Sequence, residues 1–372
     1  MMKIIITTLL FCGLGLVWTQ KTDVILTSVS QHKTLSKKPE FFALEWQEGM
    51  VLKNKPTPYF IEVETLGNQN VDILVTTQNR PVLYTADICT PVCADGECRL
   101  MYLTLYWNLL GAYAGYDKVE GQTLTKHDHE EFLEQDYEKL HHLLMDDNSI
   151  LKRKKIDELV EKPEDSELDG ADAKAGATIT EVKESVVDGA LYSCYVAWNI
   201  VHGTIKAELQ DFTTSNFDKE MKRYMLMSNE QDYQMYALKS LNNEEYIDYK
   251  DRIVQIFKEG IPMVRTYIVQ NLPKLFWESD SLQMPFWESF ATVDINNRSL
   301  LLNHIQQAPV EVLVLLGSSL ELMTKNQLKV YLTAIEKNVM TNPQINAQLL
   351  RFSNSGKHTY AYIVSEFLEE LE

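Results

Sequence analysis

Arg99-Leu100-Met101-Tyr102-Leu103-Thr104-Leu105-Tyr106-Trp107-Asn108-Leu109-Leu110 is the stretch from which the fold can be read outward. Met101, Leu103, Leu105, Trp107 and Leu109 fall on one side of a strand with period two. Tyr102, Thr104, Tyr106 and Asn108 fall on the other, which predicts an antiparallel sheet buried on one face. Upstream, Tyr59 to Leu66 and Val71 to Thr77 are β-rich runs around Gly67-Asn68-Gln69-Asn70, a hairpin signal. Downstream, Gly111, Gly115 and Gly121 predict a second turn region. The strand-rich part therefore runs from about Tyr59 to Tyr116.

Beyond it the apolar period changes to that of a helix. Leu133, Tyr137, Leu140 and Leu144 predict an amphipathic helix over Phe132 to Met145. Lys152 to Lys155 and Pro163 to Asp172 are charged and nearly free of apolar residues, as a solvated loop would be. From Glu181 to His202 the residues Val182, Val186, Ala190, Cys194, Trp198 and Val201 form one stripe, closed by Gly203. Short apolar-periodic segments then follow: Glu245 to Lys258, Pro262 to Leu272, Ser299 to Gln307, Pro309 to Met323, Lys325 to Lys337 and Ile345 to Phe352. They pair into units of about thirty residues starting near Glu230, Ile261, Asn296 and Thr324, a period resembling HEAT or armadillo helical pairs. A compact helical bundle is the alternative packing of the same segments. The fold class is α+β: an N-terminal antiparallel β-rich module with inserted helices, then an all-α, solenoid-like domain.

The chain has 372 residues, 53 acidic against 35 basic, for a formal charge of −18. Such a balance argues against nucleic acid, whose phosphates call for clustered Lys and Arg, and against an anionic membrane surface. Lys3 and the apolar run Ile4 to Val17 have the pattern of a secretory signal peptide, with Val17 and Thr19 small enough for cleavage before Gln20. The expected parts are a signal peptide over 1–19, a mixed β/α domain over 20–204 and a helical domain over 205–372. The protein is expected to be exported, periplasmic or extracellular, with no transmembrane segment after cleavage. Cys89, Cys93, Cys98 and Cys194 then remain in an oxidising compartment. One local disulfide within Cys89–Cys98 is expected, with redox-active thiols or a metal site as the other readings. The C-x3-C-x4-C spacing matches no common zinc or iron–sulfur pattern.

Asp172-Ala173-Lys174-Ala175-Gly176-Ala177-Thr178-Ile179-Thr180 precedes the Glu181 helix. It resembles the flavin-attachment motif of the FMN-binding domain family, which includes flavinylated subunits of the sodium-pumping quinone reductase and its Rnf relatives. Asp172, Gly176, Ala177, Thr178 and Thr180 match; Ala175 stands where the family has Ser or Thr. The resemblance implies covalent FMN esterified to Thr178 through its phosphate. It also implies an aromatic wall for the ring, for which Tyr102, Tyr106, Trp107 and Tyr113 are the candidates. The same residues also read as a capping box, Thr178-x-x-Glu181, which needs no cofactor. His127, His129, His141 and His142 share no helical face, so a solvated surface is expected ahead of a metal site. The sequence lacks a Ser/His/Asp order, HExxH, a P-loop or GxGxxG, which favours a carrier or binding protein over a stand-alone enzyme. Two functions follow as expectations: an exported electron-transfer protein carrying FMN, or an exported, non-catalytic interaction protein with a helical-repeat surface. A redox or scaffold protein would be the partner.

Overall fold

A computed structural model describes residues 34–63, 66–93, 99–126, 129–153, 155–159, 180–356 and 358–371. Seven strands form one antiparallel sheet in the order β1-β3-β4-β5-β6-β7-β2. They are β1 (Thr34–Leu35), β2 (Phe41–Phe42), β3 (Leu52–Val63), β4 (Gly67–Val75), β5 (Pro81–Pro91), β6 (Leu100–Trp107) and β7 (Tyr113–Lys118). Strands β3 to β7 are a meander, while β1 and β2, joined by five residues, pair with opposite edges. That link reaches about 20 Å when extended. A flat seven-strand sheet would set the two edges about 29 Å apart. The sheet must therefore curl, and residues 34–50 form a strap across it.

The strap explains a departure from expectation. Met101, Leu103, Leu105, Trp107 and Leu109 are all buried, as the alternation predicts. The other face is covered too: Thr104, Tyr106 and Asn108 are buried. Leu35, Phe42, Leu44, Trp46 and Met50 from the strap pack on Leu52, Leu74, Val82, Leu83, Tyr106 and Ala114 there. No pattern within β6 announces this cover, because it comes from a distant segment. Two turns also shift. Gly67 to Asn70 begins β4, with Val63 opposite Gly67, so the hairpin turns earlier. Gly115 lies inside β7 opposite Phe42, where an added Cβ would strike the Phe41 carbonyl.

The helices are α1 (Glu134–Met145), α2 (Thr180–Lys183), α3 (Leu191–His202), α4 (Thr204–Ser215), α5 (Lys219–Met227), α6 (Gln231–Ser240), α7 (Asn243–Asp248) and α8 (Lys250–Glu259). They continue as α9 (Pro262–Asn271), α10 (Lys274–Glu278), α11 (Asp280–Glu288), α12 (Ile295–Leu302), α13 (Val310–Gly317), α14 (Lys325–Val339), α15 (Pro343–Ser353) and α16 (Ala361–Leu371). In α1, Tyr137, Leu140 and Leu144 are buried, but Leu133 is its exposed N-cap. The helix expected over Glu181 to His202 is two, broken where Gly189 takes φ +70°. Its stripe from Val182 to Val201 is nonetheless buried throughout. Glu245 to Lys258 likewise divides into α7 and α8 at Tyr249.

One apolar core runs from the sheet through α16. Polar contacts stitch sheet to helices. The Trp107 indole donates to the Val201 carbonyl (3.1 Å), and the Leu109 N–H donates to the Tyr233 hydroxyl (2.8 Å). Tyr84 and Thr213 share a hydroxyl bond of 2.7 Å. The boundary expected at 204/205 falls just inside α4, after its first residue Thr204, and α3 and α4 both pack against the sheet.

Candidate functional site

Asp172, Gly176, Ala177 and Thr178 lie outside the described residues, and Thr180 is the first residue of α2. The aromatic residues expected around a flavin do not converge. Trp107 is sealed in the main core, whereas Tyr106 faces the strap and donates to the Asp117 carboxylate (2.9 Å). Tyr113 holds His141 Nδ1 through its hydroxyl (2.8 Å), and Tyr102 lies beside Cys89. Alternation along β6 places Tyr106 and Trp107 on opposite faces, so a single wall cannot contain both.

Cys89 and Cys194 are free thiols; Cys93 is not free, and Cys98 lies outside the described residues. Burial pushes the Cys194 thiol up to about 12 and raises Cys89, which a Tyr102 contact partly offsets. Reactive cysteines need the opposite shift, because the thiolate is the nucleophile. His127 lies outside the described residues. His141 is packed among Phe41, Tyr113 and Tyr116, and burial, with His142 and Lys38 nearby, holds it below its usual value. Among the described residues no group of three His, Cys, Asp or Glu side chains could hold a metal. No described helix is long and apolar enough to cross a membrane. Met221 and Met225 are core residues.

The helical part carries a more regular construction. Helices α8, α11, α13 and α15 touch in succession, and α6, α9, α12, α14 and α16 form a second succession beside them. In the second row the helix starts are tied together. Asn297, three residues after the N-cap Asp294, donates to the carbonyl of Pro262, the first residue of α9 (3.1 Å). Gln327, three residues after the N-cap Thr324, donates to the carbonyl of Ile295, the first residue of α12 (2.8 Å). Three helix N-termini are thus held side by side along one rim, where Met263 and Ile295 are more than half exposed.

Aligned N-termini accumulate positive partial charge, and the rim supplies an anion. Burial alone would raise Asp294, but the Asn297 amide and the N–H groups of Asn297, Asp294 and Asn296 hold it below its ordinary value. Arg265 lies 3.8 Å from the same carboxylate.

No family model, curated protein or solved structure matches the chain. Function must therefore be read from these residues themselves. The ladder residues Asn297 and Gln327 were not among the expected functional positions. Their signal was present as Asp294-x-x-Asn297 and Thr324-x-x-Gln327, cap-like spacings at unit starts. What the spacing does not show is that the same amides reach back to the previous helix.

Proposed function

We propose that the chain is an exported, non-catalytic interaction protein whose helices from α5 onward form an α-solenoid that docks a partner. The carrying observation is the double row: α8, α11, α13 and α15 touch in succession, α6, α9, α12, α14 and α16 do likewise, and α8–α9, α13–α14 and α15–α16 contacts join the two rows. Repeat stacking of that kind buries a continuous core while leaving long faces and rims open. The unit starts legible in the sequence, Glu230, Ile261, Asn296 and Thr324, correspond to α6, α9, α12 and α14 of one row. Export is supported by the Ile4 to Val17 run, and the acidic balance of −18 favours a partner with a basic surface.

A carrier of FMN on Thr178 is the competing assignment; two of the ring residues it would call on, Tyr106 and Trp107, lie on opposite faces of the sheet. Co-expression with a flavin transferase separates the two. The interaction protein keeps the mass of its polypeptide and stays colourless on a denaturing gel. A gain of one FMN less water, lost in Thr178→Ala, would replace the proposal. Partner docking is tested by cross-linking in the source cells. Any specific cross-linked partner should be lost from the doubly substituted rim Met263→Glu, Ile295→Glu while the fold persists by circular dichroism. Retention of the cross-link would place docking elsewhere.

A further inference from the structure

Between the end of α1, the turn at Ile150–Lys152 and the α3–α4 junction lies a hollow of about 260 Å³. Its lining is Asp147, Lys152, Trp198, Asn199, His202 and Lys206. Two ammonium groups converge there on one residue: Lys152 Nζ lies 3.1 Å from the Asp147 carbonyl and Lys206 Nζ 3.8 Å from its carboxylate. The Asp147 side chain is more than half exposed.

His202 adds no anion and no third cation. Its Nε2 donates to the Leu144 carbonyl (2.9 Å), which leaves Nδ1 as the lone pair in the neutral ring. That buried nitrogen has no hydrogen-bond partner. Burial first, then Lys206 and Lys152, keep the ring below its usual value; the Leu144 carbonyl and Asp147 oppose them. The hollow therefore carries two cations against one exposed carboxylate, on a chain whose overall charge is −18. One flank is flat and fixed: the Trp198 and His202 rings lie 4.6 Å apart, with the indole donating to the Asp146 carbonyl (2.9 Å).

We propose that this hollow binds a compact phosphate dianion, free or as a small phosphomonoester, through Lys152 and Lys206, with Asp147 as the built-in competitor that it displaces. Two ammonium groups held against the same residue favour a dianion over a monoanionic carboxylate. The volume is below the roughly 300–1,000 Å³ of sites for drug-sized ligands, which excludes a nucleotide. The inference is independent of partner docking by the helical rim.

The test uses the full chain, titrated at constant ionic strength with inorganic phosphate and, separately, glycerol phosphate. Calorimetry gives affinity, and the imidazole resonance of His202, assigned with His202→Gln, reports the site. Binding of either anion should be saturable and should raise the His202 pKa, because an adjacent dianion favours imidazolium. Lys206→Gln and Lys152→Gln should each weaken binding about tenfold or more, and Asp147→Asn should tighten it. Lys325→Gln, on α14, should change nothing. Saturation by phosphate alone or by the ester alone identifies the source. The proposal is overturned by absence of saturable binding of both anions up to about 10 mM. Equal weakening by Lys325→Gln, or affinity indifferent to Lys206 and Lys152, overturns it as well.

Discussion

Asn297→Ala tests whether the rim ladder holds the helical row together. Asn297 is fully buried; its amide nitrogen makes two bonds, to the Pro262 carbonyl (3.1 Å) and to the Asp294 carboxylate (2.7 Å), and its oxygen accepts a longer one from the Thr266 hydroxyl (3.4 Å). A neutral acceptor contributes about 1 kcal/mol net and a charged one about 2 kcal/mol, so the substitution should cost about 3 kcal/mol. Gln327→Ala removes bonds to the Ile295 carbonyl and the Ser299 hydroxyl, both 2.8 Å, and the bond its Oε1 accepts from the Thr324 N–H, 3.0 Å, all neutral, and should cost about 3 kcal/mol. The neighbouring exposed residue provides the control: Asn296→Ala should stay within about 0.5 kcal/mol. Urea unfolding followed by circular dichroism gives the three values. The pH dependence adds a sign. Asp294 is depressed in the folded chain, so its contribution is full above the unfolded carboxyl value and is lost as pH falls through the lower folded one. Part of the Asn297 effect should accordingly fade below about pH 4. An Asn297→Ala cost no greater than that of Asn296→Ala would refute the ladder as a structural tie.

Other outcomes follow from the close approaches and the thiols. Gly111 takes φ +72° and faces the Lys206 backbone, where a Cβ would collide with the carbonyl; Gly111→Ala should lose more than about 2 kcal/mol by urea unfolding. Gly115→Ala should release the strap first, seen as faster proteolytic cleavage within residues 36–50 while the helices α5 to α16 stay resistant. In the native protein Cys194 should resist thiol reagents until unfolding and Cys89 should react slowly, as counted by mass spectrometry. Peptide mapping without reductant should find Cys93 in a disulfide and Cys89 and Cys194 outside any, since Cys89 and Cys194 are free and Cys93 is not.

The parts of the fold that were legible in the sequence are those where local period coincides with burial. Strand β6 alternates, and its apolar side enters the core; the stripe from Val182 to Val201 is buried even though Gly189 breaks its helix. A period reports which side chains face inward and is blind to a turn that preserves that facing. The unit starts at Glu230, Ile261 and Thr324 were readable because each is a helix N-cap before an apolar run. The strap was not readable. Phe41 and Phe42 form only a two-residue strand, and their importance comes from pairing with β7 more than seventy positions away. The α3–α4 hollow was equally hidden, because Asp147 and Lys152 reach Lys206 only through tertiary packing. The flavin motif resembles a known pattern locally, while the alternation of β6 puts two of its candidate ring residues, Tyr106 and Trp107, on opposite faces.

That difference between local and distant signals bears on what the β-rich half is for. A helical array needs its terminal faces covered, or the last helix leaves apolar surface in water. In α16 Ile363 and Val364 are buried and Glu366, Glu369 and Glu370 are exposed. At the other end α3 and α4 turn their apolar sides to the curled sheet, where Trp107, Tyr84 and Leu109 bond to Val201, Thr213 and Tyr233. Each bond joins a buried group of the β-rich half to a buried helix partner, so separating the halves would exchange these bonds for water and expose the apolar surface packed around them. The sheet in turn needs a second cover because its helix-facing residues use only one side, and the strap supplies it. In the solenoid proposed above, the β-rich half would be the N-terminal cap. Sheet and array should then unfold together in urea, with one transition reported alike by tryptophan fluorescence and far-ultraviolet circular dichroism. Two separated transitions would make them independent domains and leave the cap without a physical basis.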